Sequence, residues 1–191
     1  LSDDLRDDMI ATLNASSLPA ASCALGWLAL AESMLVGGER ADVHALQASN
    51  MALKILRNDV TADVLPKTSR RVLLVNAESM IRSGMFREAS SSFTMLEGPR
   101  AMRGLATCAL YAHPPDYRGA LEILSSAVEA YPNVKRTQAE LGWLSMIAGS
   151  QTGRREALKM LEGACGANTS QALSTSTPVD VSARLGVERW R

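Results

Sequence analysis

Between Asp116 and Pro132 the chain reads DYRGALEILSSAVEAYP, and this stretch limits the possible folds more than any other. Ala120 is followed by Leu124 four residues on, by Ala127 three further, and then by Pro132, while Tyr117 precedes the first alanine by three. Steps of three and four return to one face of a 3.6-residue helix, so Ala120, Leu124 and Ala127 form one stripe. The alanines let a neighbouring helix come close, Leu124 fills the gap between them, and Pro132 prevents the helix from running on.

The rest of the chain can be phased from this stretch. RRVLLVNAESMIRSG, from about Thr68, carries Leu73, Ala77 and Met80 as large, small and large apolar positions of a helix. Gly84 and Phe86 make a turn into a second helix holding Ala89 and Phe93. Gly98-Pro99 punctuates, since proline suits the first position of the helix Ala101 to Ala112, and Pro114-Pro115 stops it. RTQAELGWLSMIAGS follows with the pair Leu141-Gly142, and its partner helix holds Ala157, Leu161 and Ala164. Ala89, Ala120 and Ala157 are thus 31 and 37 residues apart. Upstream, helices are expected at Asp3 to about Asn14, Ala20 to Leu35 and Ala41 to Arg57, with Asn58 to Pro66 as a loop. Only VLLV, Val72 to Val75, has the apolar run of a strand, and its helix-forming flanks keep it helical.

The recurring Ala, Leu or Phe, Ala, Pro spacing, with Leu-Gly in a preceding helix, resembles the tetratricopeptide repeat (TPR), whose period is about 34 residues. The resemblance implies an all-α fold: an α-solenoid of stacked antiparallel helix pairs, a TPR-like superhelix of about ten helices. Residues 1–165 would be the repeats, with 1–66 degenerate and 67–165 clearer. Residues 166–180, rich in Ser, Thr and Pro, read as a flexible loop, and 181–191 as the first helix of a further repeat. The chain begins at Leu1 and stops at Trp190-Arg191 inside a helical pattern, so a piece of a longer array is expected.

Composition narrows the function. Hydrophobic residues are 47% and aromatic residues 4% of the chain, which favours closely packed helices over sheets. Twenty basic residues balance twenty acidic ones without long runs, so no broad nucleic-acid face is indicated. Cys23, Cys108 and Cys165 fit neither a disulfide framework nor a zinc site, and read as free thiols in a reducing compartment, that is, a cytoplasmic protein. Met9 to Ala31 is uncharged but broken by Asn14, Ser16, Ser17 and Pro19, so no membrane span is expected. His44 and His113 lack metal-ligand partners, and GSQTGRR at 149–155 lacks the spacing of a phosphate loop. No cofactor and no catalysis are expected.

The candidate binding residues are aromatic and charged. Leu25-Gly26-Trp27-Leu28 and Leu141-Gly142-Trp143-Leu144 are one tetrapeptide in two helices. If Leu25 and Leu141 pack between helices, Trp27 and Trp143 lie about 200° around, toward the inner side of a repeat array. Two readings stay open: the tryptophans pack on the adjacent helix, or they anchor a partner. Arg71 and Glu78 share the same inner face, either as contacts or as solvated charges.

A narrower resemblance rests on Leu141-Gly142-Trp143, a partner helix, a variable loop, and Arg184-Leu185-Gly186 with Trp190. This arrangement is similar to the TPR scaffold subunits of superkiller (Ski) complexes. It implies a non-catalytic scaffold assembling with an RNA helicase and WD40 subunits to feed messenger RNA to the cytoplasmic exosome. A TPR adaptor that grips a peptide carboxylate is the alternative, with Arg71 and Arg103 as candidate contacts.

Overall fold

The computed structural model describes residues 3–15, 18–36, 42–59 and 66–148, together with Ala157, Lys159 and Leu161. Every regular element among them is a helix: α1 (Asp3–Ala15), α2 (Ala20–Val36), α3 (Asp42–Asp59), α4 (Pro66–Arg82), α5 (Phe86–Phe93), α6 (Pro99–Leu110), α7 (Tyr117–Ala130) and α8 (Lys135–Ala148). These are eight of the ten helices expected. Ala157, Lys159 and Leu161 of the ninth are helical. The loop at 166–180 and the helix from Val181 lie outside the described residues. The chain divides into two compact units, Leu1–Glu97 and Gly98–Arg191.

In the first unit each helix packs against the next, and α2 also touches α4. α2 is apolar nearly all round, the pattern of a helix covered on several sides. It buries Ala24, Trp27, Leu28, Leu30, Ala31 and Met34. Ala45, Ala48 and Ala52 of α3 lie one turn apart and bring that helix close to α2. α4 is packed against α2, α3 and α5, which is why Val75, Asn76 and Ala77 are all buried in succession. That enclosure accounts for VLLV, of which Val72 and Val75 are buried while Lys67, Arg70, Arg71 and Arg82 keep a polar face exposed. α4 also starts earlier than the expected Thr68, at Pro66, a residue whose fixed φ suits a first turn.

α4 ends at a glycine for a stereochemical reason. Gly84 has φ 77°, its N–H donates to Ile81 O at 3.0 Å, and Met85 N–H donates to Met80 O at 2.9 Å. These two bonds are the paired closure of a helix end at which Gly84, two residues past Arg82, turns left-handed, a conformation that a Cβ disfavours.

In the second unit α6 packs on α7 and α7 on α8. Ala120, Leu124 and Ala127 are buried as one stripe, as their spacing requires. Ala120, Leu124, Ala106, Leu141 and Leu144 form a core, with Tyr117 and Trp143 packed against it. Gly142 lies where the next helix passes, since a Cβ there would stand 3.0 Å from both Ala157 O and Leu161 Cγ. α7 is capped by Asp116, whose Oδ1 accepts the Gly119 N–H at 2.8 Å. Asp116→Ala is expected to lower the unfolding free energy by about 1 kcal/mol, the usual cost of a lost cap, measured by urea denaturation.

Candidate functional site

Two grooves open on the surface of the first unit, and α3 borders both. Its sequence explains this. Ala45, Ala48, Ser49 and Ala52 turn inward, which leaves Asn50, Lys54, Arg57 and Asn58 as an exposed stripe at steps of four, three and one. One groove, about 430 Å³, runs between this stripe and the end of α5, with Leu73, Asn76 and Met80 of α4 as its floor. The other, about 470 Å³, lies among α1, α2 and α3 and is walled by Ile10, Trp27, Met34, His44 and Met51. Asn50 and Lys54 line both grooves.

Asn76 organises the first groove. It is 2% exposed, and a buried amide must be hydrogen-bonded. Its Nδ2 donates to Ser49 Oγ at 3.0 Å and to Asn50 Oδ1 at 2.8 Å. Ser49 Oγ–H in turn donates to Leu46 O at 3.0 Å. Because the Asn50 oxygen faces Asn76, its own amide N–H groups point the other way.

Of the five residues singled out from the sequence, Trp27 takes the packed of its two open orientations, and Leu25, two residues before it, does not pack between helices. Leu25 is 44% exposed, whereas Trp27 is 6% exposed and belongs to the core of the first unit. Gly26 gives the reason: its missing Cβ makes room for Leu13 of the preceding helix, so α2 is rotated with its tryptophan inward. In the second copy Leu141 is buried and Trp143 half-buried against the core, with Gly142 facing the following helix. The two tetrapeptides therefore sit in different packing environments.

Arg71 is exposed and held by Glu32 of α2, with Nε to Oε1 at 2.7 Å and Nη2 to Oε2 at 2.6 Å. That hydrogen bond and the carboxylate charge raise the guanidinium pKa further above its ordinary value. Glu78 is half-buried on the same helix. Arg103 faces Glu140, at 3.4 Å, and Glu140 also accepts from Arg136 Nε at 3.2 Å. Trp190, Cys165 and the stretch GSQTGRR fall outside the described residues. The grooves were not foreseen. Their signal was legible as one polar residue, Asn76, inside the apolar run LLVNA, and as the four polar positions of α3.

Among the described residues no group of three His, Cys, Asp or Glu side chains could hold a metal ion, and no helix is long and apolar enough to cross a membrane. His113 is exposed and His44 half-buried. Cys108 is buried, which pushes its thiol pKa up to about 11. Ellman's reagent at pH 8 is expected to label Cys23, which is half-buried, well before Cys108, whose modification should wait for unfolding. The folded state holds the Cys108 proton more tightly than the unfolded state does. Its contribution to stability is therefore intact below pH 9 and is lost as pH rises toward about 11. Denaturation midpoints at pH 8 and pH 10.5 should accordingly fall more for the wild type than for Cys108→Ala.

No family model matches the chain, and neither a curated protein nor a solved structure matches it.

Proposed function

We propose that this chain is a non-catalytic helical-repeat scaffold that holds protein partners in a multisubunit assembly. Within each unit the helix pairs would be repeats of a TPR-like α-solenoid, in which each pair completes its apolar core against its neighbours. The observation that carries the reading is the burial of Ala89, Ala120 and Ala157, one at each expected point of close helix approach. The contact of α2 with both α3 and α4 adds to it, because stacked pairs touch the next element and the one after. Such a molecule works by geometry, presenting helix faces and grooves to other proteins without making or breaking a bond.

The particular assembly proposed is a Ski-type complex in the cytoplasm, with an RNA helicase and WD40 subunits as partners. Leu141-Gly142-Trp143, with Gly142 against Ala157 and Leu161, supports this reading. Affinity purification of the tagged full-length gene product tests it. Recovery of a helicase and WD40 proteins in fixed proportion is the expected result. Recovery mainly of chaperones would sink the Ski reading and favour the second one, a peptide-binding adaptor. The groove between α3 and α5 is the observation that favours such an adaptor, whereas Arg71 and Arg103 are already engaged by Glu32 and Glu140.

A further inference from the structure

We infer that the groove between α3 and the end of α5 is a docking site for an acidic, apolar-anchored segment of a protein partner. The inference rests on the reading of the chain as a protein-binding scaffold and names the chemistry that one of its surfaces would recognise. It uses a different set of residues from Arg71 and Arg103.

Three residues of the groove's α3 wall present donors, and Asn58 follows them. Asn50, Lys54 and Arg57 lie along one side of α3, about 6 Å and about 10 Å from the first to the second and third. All three are exposed. Lys54 and Arg57 take no part in the ion pairs formed among the described residues. Asn50 would be ambiguous by itself, because an amide both donates and accepts. Here the buried Asn76 donates to the Asn50 oxygen, so what Asn50 offers outward is N–H. A row of one amide donor and two cations, with no carboxylate among the groove's lining residues, is most complementary to carboxylates and mismatched to a basic surface.

The floor sets the rest of the specificity. Leu73 and Met80, the large positions of α4, are only half-buried and face the groove, and Met95, 71% exposed, stands at its edge. Unbranched, polarizable methionines adapt to an apolar side chain. The occupant is therefore a segment with two or three Asp or Glu residues spaced to meet α3 and a Leu- or Met-sized residue between them. Nucleic acid is disfavoured by the same lining: two cations and no aromatic side chain make a poor base-stacking surface.

The test uses the whole chain and two labelled helical peptides, one with Glu at steps of four and three beside Leu residues and the other with Gln in place of Glu. Fluorescence anisotropy should show the Glu peptide binding about tenfold tighter than the Gln peptide at low salt, with the difference shrinking as salt is raised. Lys54→Glu with Arg57→Glu should abolish that difference, while Arg118→Glu with Lys135→Glu, an equal charge change on exposed sites of the other unit, should preserve it. Circular dichroism should show the same helix content in all three proteins. Absence of Glu-peptide binding, equal binding of both peptides, or retention in the Lys54/Arg57 variant overturns the inference. So does a single-stranded RNA probe bound more tightly than the peptide and lost in that variant. Stoichiometric partners recovered equally by wild type and the Lys54/Arg57 variant would remove this groove and leave the scaffold reading standing. Recovery of no partner would remove the scaffold reading itself.

Discussion

Phe93→Ala is expected to lower the unfolding free energy by about 3–5 kcal/mol, the range for emptying a buried aromatic site. Phe93 is fully buried at the end of α5, one turn beyond the buried Ala89. α5 has only eight residues, too few to persist without tertiary contacts, since isolated helices shorter than about 12 residues are marginal in water. Its place therefore depends on packing against α4, and Phe93 is its largest buried side chain. Ser92 and Met95 on either side of Phe93 line the α3–α5 groove, so the substitution should loosen that wall as well as the core. Urea denaturation gives the free energy, and hydrogen exchange should show the α5 amides losing protection first. A loss below about 1 kcal/mol would mean that α5 is held by something other than this side chain.

The second large effect separates two copies of one tetrapeptide. Trp27→Ala is expected to cost about 3–5 kcal/mol, because the indole fills the core of the first unit. Leu141→Ala is expected to cost about 2–5 kcal/mol, whereas Leu25→Ala, at the matching position of the other copy, should cost under about 1 kcal/mol. Leu141 is 6% exposed and Leu25 44% exposed, so the same deletion leaves a cavity in one place and almost none in the other. Denaturation of the three variants side by side decides the matter. Equal losses for Leu25→Ala and Leu141→Ala would contradict the rotation of α2 described above.

These two cases show why part of the molecule could be read early and part could not. The Asp116–Pro132 stretch was legible as helix α7 because spacings of three and four and a terminating proline act locally on the backbone. The same holds for Gly84 in the turn after α4 and for Pro99 at a helix start, whereas Pro66 was read as loop and opens α4. The α3–α5 groove depends on a different kind of fact. Asn50, Lys54 and Arg57 are aligned by helix geometry alone, but Asn76 joins them only because α4 packs on α3. Asn76 is 26 residues from its partner Asn50, and no local pattern connects them.

The sequence by itself determined that the chain forms helices, where most of them begin and end, and which small residues allow close approach. Those outcomes follow from backbone periodicity and from capping and terminating residues, whose effects act within a turn or two. Only the tertiary structure decided which face of each helix is covered. Leu25-Gly26-Trp27 and Leu141-Gly142-Trp143 have the same local periodicity, yet Gly26 admits Leu13 from the helix before and Gly142 admits Leu161 from the helix after. The side on which the neighbour approaches sets the rotation of the helix, and that rotation determines which of its side chains are buried.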